Sequence, residues 1–231
     1  MNTDSSTGVG NQAPVRDYVL VDFDGTLAEA DIGNRFFHRF TRDEKRWNEL
    51  IDGWKGEELT ARECLAFECA LTDVDEATAL EFFDRFSLAS GAVELVAAAR
   101  GAGHEIAVAS DGLEIYVSRL LARAGLEVPF SANRILFEKQ GPIPEYASGG
   151  PTVTMPDGRV AAPREGAPTG CGRCGNCKGA ILEQAIAAGA GRTILVGDGY
   201  SDRCAAGVAE VVYAKDDLLG YCRERGIAAR P

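Results

Sequence analysis

The chain has 231 residues, of which 45% are hydrophobic and 26% are charged, and its 35 acidic against 24 basic residues give a formal net charge of −11. This composition is that of a globular protein, and the length allows one domain with an insertion or two small domains. The acidic balance argues against a nucleic-acid-binding surface and against attraction to anionic lipid. The sequence has no apolar run of the roughly 18 residues that a membrane span needs.

The N-terminal segment is polar and lacks an apolar signal core. We therefore expect residues 1–14 to be a disordered tail and the protein to be cytoplasmic. The seven cysteines are an odd number, and in that compartment most of them are expected to be reduced thiols.

Short apolar runs predict strands that are buried on both faces of a parallel sheet. In chain order the runs are 18–21, 106–109, 193–196 and 211–214, with a weaker one at 134–137. Apolar residues at helical spacing predict helices over 92–100, 113–124, 178–188 and 216–225. Strands that alternate with helices in this way indicate an α/β fold, a doubly wound parallel sheet.

Two segments interrupt the alternation. Residues 33–87 have helical spacing without a strand signal, and they are predicted to form a helical cap inserted into a core of residues 15–32 and 88–231. Residues 139–177 are rich in proline, glycine and cysteine and are predicted to form a flap within the core. In that flap, Met155–Arg159 is typical of a hairpin turn.

Polar side chains follow the ends of three predicted strands. They are, in chain order, Asp22 and Asp24, then Ser110, then Asp198 and Asp202. A lysine, Lys178, opens a predicted helix. Each residue alone could be a turn or a helix cap. Because open α/β sheets bind ligands at the carboxyl ends of their strands, we expect these groups to meet in one site.

The order of these residues resembles the four motifs of the haloacid dehalogenase superfamily of phosphotransferases. The motifs are Asp22-x-Asp24-x-Thr26, then Ser110, then Lys178, then Gly197-Asp198 with Asp202. The resemblance extends from Tyr18 to about Ile227, and it implies a Rossmann-like core. The predicted insertion stands where the phosphoserine-phosphatase-like branch of the superfamily, subfamily IB, carries a helical cap of the C1 type.

The resemblance implies a chemical role for the carboxylates. Asp22 is the expected nucleophile, which forms an aspartyl-phosphate, and Asp24 is the expected acid and base. Asp22, Asp198 and the backbone carbonyl of Asp24 are expected to hold Mg2+, which prefers hard oxygen ligands. Asp202 is expected to orient Lys178 or a metal-bound water.

The same resemblance implies the contacts to substrate. Ser110, the Gly112 amide and Lys178 are expected to bind phosphate oxygens. The other predicted substrate-binding residues are Thr26, Asp31, Arg62, Asp111 and Ser201. Arg62 has two readings, since it could contact a substrate carboxylate or enediol, or it could be a solvated helix residue.

The carboxylate at Asp24 distinguishes the reaction types. The dehalogenases of the superfamily lack it and its ATPases usually do, whereas phosphatases and phosphomutases carry it. We therefore predict a hydrolase of small phosphate monoesters, with a phosphomutase as the weaker alternative. A partner-binding module on an inactive core would have lost some of these motif residues, and all of them are present.

Two phosphatase families are more closely similar. The run Leu59–Glu63 and the Cys-rich stretch ending at Lys178 resemble the methionine-salvage 2-hydroxy-3-keto-5-methylthiopentenyl-1-phosphate phosphatases. The run Cys174–Lys178 also resembles the phosphoethanolamine/phosphocholine phosphatases. Asp111 and Gly179 depart from the salvage family's typical motifs. Asp31 stands where phosphoserine phosphatases use a glutamate. The substrate therefore stays open between these families.

Cys171-x-x-Cys174-x-x-Cys177 offers three closely spaced thiols. These could bind a structural Zn2+, with Cys204 as a fourth ligand. A disulfide or simple packing is the alternative. The expected partner is a small-molecule phosphate ester, and the chain is expected to be a monomer or a homodimer.

Overall fold

The structure is a computed structural model that describes residues 15–231. The predicted tail, residues 1–14, lies outside the described residues. Nine strands form one sheet. They are β1 (Tyr18–Asp22), β2 (Glu105–Leu113), β3 (Phe130–Glu138), β4 (Gly141–Tyr146), β5 (Val153–Thr154), β6 (Val160–Pro163), β7 (Thr193–Gly197), β8 (Val211–Ala214) and β9 (Ala229–Arg230). Their order across the sheet is β5-β6-β4-β3-β2-β1-β7-β8-β9.

The helices fall into two groups. Four follow one another between the first two strands: α1 (Ile32–Phe40), α2 (Glu44–Lys55), α3 (Ala61–Leu71) and α4 (Glu76–Phe83). The others alternate with strands: α5 (Ala92–Gly101), α6 (Glu114–Arg123), α7 (Lys178–Ala187), α8 (Arg203–Ala206) and α9 (Asp216–Arg225). At the base of the first group, Ala28 pairs with Leu88, so the chain leaves the sheet and returns to it at one place.

Strand β1 lies at the centre of the sheet, parallel to both β2 and β7. Side chains alternate across a strand, so Val19 and Val21 pack on the face covered by α5 and α6, while Leu20 packs with Leu182 and Leu218 beneath α7 and α9. Burial on both faces explains the continuous apolar run in the sequence. The predicted doubly wound α/β fold is confirmed.

All five predicted strands are present, and the proline-rich flap adds three more. Strand β4 pairs antiparallel with β3, and β5 and β6 form the hairpin around Met155–Arg159 that the turn residues predict. The sequence analysis did not predict β4, because Pro142 and Pro144 cannot donate backbone hydrogen bonds to a neighbouring strand. They are tolerated because β6 pairs with β4 only at Glu145 and Tyr146, beyond the prolines.

Within residues 15–231, every helix is too short or too polar to cross a membrane.

Candidate active site

The carboxyl end of β1 begins the site. Asp22 is the last residue of the strand, and a tight turn over Phe23–Leu27 follows it. Gly25 in this turn has φ +73°, a conformation that favours glycine. A methyl group at this position would also collide with the Asp198 carboxylate. The turn therefore brings the first motif and Asp198 together, and only a glycine allows this approach.

A buried chain of charges joins three of the predicted residues. Lys178 is the first residue of α7, and its side chain is fully buried. Its Nζ donates to Asp22 Oδ1, to Asp202 Oδ1 at 2.6 Å and to Ser201 Oγ at 2.8 Å. Burial alone would lower the pKa of Lys178, but the carboxylates of Asp202 and Asp22 raise it well above its usual range. The ammonium is thus held charged beside Asp22.

Asp202 has both oxygens occupied by donors inside the protein. Oδ2 accepts from the backbone N–H groups of Asp198 and Gly199, each at 3.1 Å, while Oδ1 accepts from Lys178. Asp202 is completely buried, and the pocket lining in the described part of the chain does not include it. Its geometry suits the predicted role behind the reacting groups, where it would orient Lys178.

Asp22 and Asp198 face the pocket together. Oxygens of Asp22, Asp198 and Asp202 lie within 4.8 Å of one another, and Thr26 Oγ1 donates to Asp198 Oδ1 at 2.9 Å. Burial raises the pKa of Asp22 well above its usual range, and repulsion from Asp202 adds to it. Burial likewise raises the pKa of Asp198. Adjacent buried carboxylates of this kind are the hard oxygen donors that suit Mg2+, so the residues fit the predicted ion.

Asp24 receives hydrogen bonds on both carboxylate oxygens. Oδ2 accepts from Ser110 Oγ at 2.9 Å and from the Tyr116 hydroxyl at 2.6 Å. Oδ1 accepts from the backbone N–H groups of Ile32 and Gly33 at the start of α1, at 2.9 and 3.3 Å. Burial raises the pKa of Asp24, and these four hydrogen bonds oppose the shift. The side chain is fixed and favours a proton more than an exposed aspartate does.

Ser110 and Gly112 lie beside Asp24. Ser110 is fully buried, and its Oγ accepts from the Gly112 N–H at 2.9 Å while donating to Asp24. A methyl group at Gly112 would lie 2.7 Å from Asp24 Oδ2, so a larger residue cannot replace this glycine without moving the acid. The predicted phosphate contacts of Ser110 and Gly112 stay predictions.

Asp111 and Asp31 both reach the pocket. Asp111 accepts from the Asn176 N–H at 2.8 Å and from Asn133 Nδ2 at 3.1 Å, and these amides fix its position. Asp31 is the N-cap of α1 and accepts from Asn34 N–H at 2.8 Å. Burial and the nearby Asp24 carboxylate raise the pKa of Asp31 to about 6. The structure brings both predicted substrate contacts to the site.

Arg62 lies elsewhere. Its side chain is 1% exposed, its guanidinium stacks over the Tyr146 ring at 4.5 Å, and it donates to the backbone carbonyls of Ser148 and Pro151. Within residues 15–231, the residues that line the pocket do not include it. Neither of its two predicted settings is found, because Arg62 binds α3 to the flap instead of reaching substrate or solvent.

The pocket also contains residues that are not among the predicted site residues. Its cap side carries aromatic and aliphatic side chains and a buried acid: Phe37, Ile51, Trp54, Leu65 and Glu68. From the core come Tyr116, which holds Asp24, and Tyr200, whose ring lies 5.7 Å from that of Trp54. The two parts of the chain thus enclose the space above Asp22.

Glu68 is the most unusual of these residues. It is 8% exposed, and Trp47 Nε1 donates to its Oε1 at 2.9 Å. Burial raises its pKa to about 8. A signal was available in the sequence, because Glu68 is a charged residue on the apolar stripe that Cys64, Leu65 and Cys69 form in α3.

The four predicted cysteines also come together, outside this pocket. Cys171, Cys174 and Cys177 precede α7, and their sulfurs lie within 4.8 Å of one another. Cys204 on α8 lies beside Cys174, with 3.8 Å between the two sulfurs. All seven cysteines fall within residues 15–231 and are free thiols.

The fold and the site define a class: an α/β enzyme whose carboxylates and buried lysine meet at the carboxyl ends of parallel strands. The family model described as haloacid dehalogenase-like hydrolase matches residues 19–207. The chain therefore belongs to the haloacid dehalogenase-like hydrolases. This confirms the resemblance given by the sequence motifs, and with it the prediction of a hydrolase.

Similar proteins fall into two groups of phosphatases. Two relatives, from Exiguobacterium sp. (strain ATCC BAA-1283 / AT1b) and Geobacillus kaustophilus (strain HTA426), are each called 2-hydroxy-3-keto-5-methylthiopentenyl-1-phosphate phosphatase. Each is 27% identical; the matches cover 93% and 92% of this chain and 91% and 89% of the relatives. A substrate-bound phosphoserine phosphatase structure has a TM-score of 0.65 at 22% identity, over 93% of this chain and 92% of that one.

A phosphoserine phosphatase from T. onnurineus is similar at TM-score 0.61 and 22% identity, over 89% of this chain and 87% of that one. At 22% identity, these solved structures show a similar fold and no more.

Proposed function

We propose that this protein hydrolyses the phosphate monoester of a small metabolite, with Mg2+, through a covalent intermediate on Asp22. The observation that carries the proposal is the juxtaposition of Asp22 with Lys178 on one side and Asp24 on the other. A carboxylate can attack an anionic ester only where positive charge offsets the repulsion. Asp22, Asp198 and the Asp24 carbonyl would hold Mg2+, which would supply further positive charge at the phosphate.

In the first step, Asp22 attacks phosphorus and the bond to the leaving alkoxide breaks. Asp24 gives its proton to that alkoxide, and its raised pKa supports this role. In the second step, Asp24 takes a proton from water, which attacks phosphorus and releases inorganic phosphate and free Asp22. Lys178 and Ser110 would bind phosphate oxygens throughout.

Helices α1–α4 are proposed to act as the cap that selects the leaving alcohol, with residues 33–87 as its extent. These helices supply Phe37, Ile51, Trp54 and Leu65 to the pocket, and this apolar surface suits a leaving group with a hydrophobic end. The names of the relatives make a methylthiopentenyl phosphate the first substrate to examine. The apolar lining supports the same choice.

A second candidate is the phosphate ester of a cationic alcohol, such as phosphoethanolamine or phosphocholine. The observation that favours it is the pair of acids, Asp31 and Glu68, on the cap side of the pocket beside Trp54. An ammonium group would be attracted to the carboxylates and to the face of the indole ring. With a pKa of about 8, however, Glu68 is mostly protonated at pH 7, so the free pocket is less anionic than its composition suggests.

The test is phosphate release from a panel of esters with Mg2+, comparing the wild type with Asp22→Asn and with the exposed control Asp217→Asn. The panel contains a methylthiopentenyl phosphate, phosphoethanolamine, phosphocholine, phosphoserine, sugar phosphates and nucleotides. We expect turnover by the wild type and the control, and a loss of at least about 1,000-fold in Asp22→Asn. Turnover that survives in Asp22→Asn would refute the covalent role.

The two substrate candidates separate in the variants Asp31→Asn and Glu68→Gln. If the alcohol is cationic, Asp31→Asn should raise KM for that ester by about tenfold at pH 7, the value of one lost ionic contact. Glu68→Gln should raise KM less, because Glu68 is mostly protonated at this pH. If the alcohol is apolar, both variants should keep the wild-type KM, while Trp54→Ala should raise it.

A further inference from the structure

The Cys-rich segment and α8 form a cluster of four sulfurs on the core side of the molecule. The sulfurs of Cys171, Cys174 and Cys177 lie within 4.8 Å of one another. Cys204 approaches from a separate element, with its sulfur 3.8 Å from that of Cys174. Three of these cysteines are not sequestered in the core, because Cys171 is exposed and Cys174 and Cys204 are partly exposed, whereas Cys177 is buried. Burial of apolar side chains therefore does not explain why they gather.

The other three cysteines show what packing alone looks like. Cys64, Cys69 and Cys222 are all buried among apolar neighbours in the two cores. A disulfide within the cluster would need two sulfurs at about 2.05 Å, much closer than the 3.8 Å between Cys174 and Cys204. In a tetrahedral zinc site with Zn–S bonds of about 2.3 Å, neighbouring sulfurs are about 3.8 Å apart. The separation between the sulfurs of Cys174 and Cys204 matches that of two ligands to one ion.

A backbone amide already points at one of the sulfurs. The N–H of Cys174 donates to Cys171 Sγ at 3.4 Å. A hydrogen bond of this type orients a metal ligand and stabilises its charge. Cys171 thus has a donor in place.

We propose that Cys171, Cys174, Cys177 and Cys204 bind one structural Zn2+. On binding, the four thiols release four protons, and four thiolates with Zn2+ leave a net charge of −2 on the site. Soft thiolate ligands favour Zn2+ over Mg2+, which takes oxygen ligands. The site is therefore separate from the carboxylates of the proposed active site, and the proposal does not depend on the proposed function.

The position of the four ligands gives the ion a structural role. Cys177 directly precedes Lys178, and Cys204 follows Asp202 by two residues. The zinc would join the two segments whose side chains form the 2.6 Å ion pair between Lys178 and Asp202. Because free thiols impose no such link, the ion would fix the distance between α7 and the turn that ends β7, and so position the lysine beside Asp22.

The first experiment measures the zinc content of the full-length protein, purified without added chelator. We expect about one zinc per chain in the wild type and a loss of at least tenfold in Cys174→Ser and Cys204→Ser. Cys222→Ser, a matched change outside the cluster, should keep the full content. The overturning result is a wild-type chain without zinc, or a Cys174→Ser variant that holds as much as the wild type.

A second measurement covers the case in which a serine variant fails to fold, which circular dichroism would reveal. Cys204→His offers a nitrogen ligand in place of sulfur and should keep the zinc. Replacing the zinc of the wild type with Co2+ should give the strong visible absorption of a tetrahedral thiolate site, and Cys204→His should shift it. Absence of that absorption, or a disulfide among these cysteines in the intact mass of the isolated protein, would refute the proposal. Because neither readout uses turnover, the outcome is independent of phosphatase activity.

Discussion

The edge of the parallel sheet and the cap side of the pocket are organised by different means. At the sheet edge, Asp22 ends β1, Ser110 lies near the carboxyl end of β2 and Asp198 directly follows β7, so the topology of the sheet brings them together. On the cap side, Glu68 and Trp54 come from the faces of two helices and meet the site only through packing. At the sheet edge, Lys178 pairs with Asp22, whereas on the cap side the buried Glu68 has no cation beside it within the described part of the chain and burial raises its pKa to about 8. The contrast supports the proposal that the reaction takes place on one side and the choice of substrate is made on the other.

The largest effect is expected at the centre of the sheet edge, in Lys178→Met. Removing the ammonium group of Lys178 leaves Asp22 and Asp202 as buried carboxylates without their cation. We expect a loss of about 3–5 kcal/mol in the free energy of unfolding, measured by urea titration, together with loss of phosphate release.

The double variant Lys178→Met/Asp202→Asn separates the two effects. It removes the second charge as well, so part of the stability should return while activity stays absent. Full activity in either variant would contradict the role of Lys178 at the phosphate.

Glu68→Gln tests the protonation state of the buried acid on the cap side of the pocket. Burial raises the pKa of Glu68 from 4.5 to about 8. The folded state therefore keeps a proton between these pH values that the unfolded state has lost, so Glu68 lowers stability as the pH rises through this window. Glutamine keeps an acceptor for Trp47 without the charge. We expect the variant to be more stable than the wild type by roughly 3 kcal/mol at pH 7.

The measurement is urea unfolding at pH 5, 7 and 9. The difference between wild type and Glu68→Gln should be smallest at pH 5 and largest at pH 9. The exposed control Glu94→Gln should follow the wild type at each pH. A difference that does not change with pH would mean that Glu68 is not protonated in the folded protein.

The sequence predicted the sheet edge more fully than the cap side, for a physical reason. Asp22 and Ser110 lie at the carboxyl ends of strands, so the strand itself determines where each side chain lies. The parallel topology then places these strand ends side by side. Tyr116 on α6 donates to Asp24 although 92 positions separate them in the sequence, and Arg62 stacks on Tyr146 of the flap. These positions depend on contacts between distant segments, which spacing along one chain does not specify. The strand β4 was missed for a related reason, since its pairing overrides the prolines.

Arg62→Leu tests the predicted substrate contact of this residue against its buried position in the structure. The substitution leaves the carbonyls of Ser148 and Pro151 without their donor. An unsatisfied buried acceptor costs about 1–3 kcal/mol, so we expect a loss of about 2 kcal/mol in the free energy of unfolding, with KM within about twofold of the wild type. The exposed change Arg85→Leu is the control for loss of charge. A rise in KM of tenfold or more without loss of stability would restore Arg62 as a substrate contact.

Tyr116→Phe gives the smallest expected effect and examines where the two regions meet. The hydroxyl donates to Asp24 Oδ2 at 2.6 Å and thereby lowers the pKa of that carboxyl. Without it, Asp24 keeps its proton to higher pH. The step in which Asp24 donates a proton should then continue to higher pH. The step in which Asp24 accepts a proton should need a higher pH. We expect kcat at neutral pH to fall by about tenfold, the value of one hydrogen bond to a charged group. The rising limb of the pH–rate profile should move to higher pH.

Asp24→Asn should remove the rising limb of the pH–rate profile altogether, and it serves as the reference variant. An unchanged profile in Tyr116→Phe would show that the hydroxyl positions Asp24 without tuning its proton. Because Tyr116 also lines the pocket that the cap covers, a change in KM that differs among leaving alcohols would show a second contact, to substrate. The sheet edge and the cap would then share this residue, and substrate choice would act directly on the acid that protonates the leaving group.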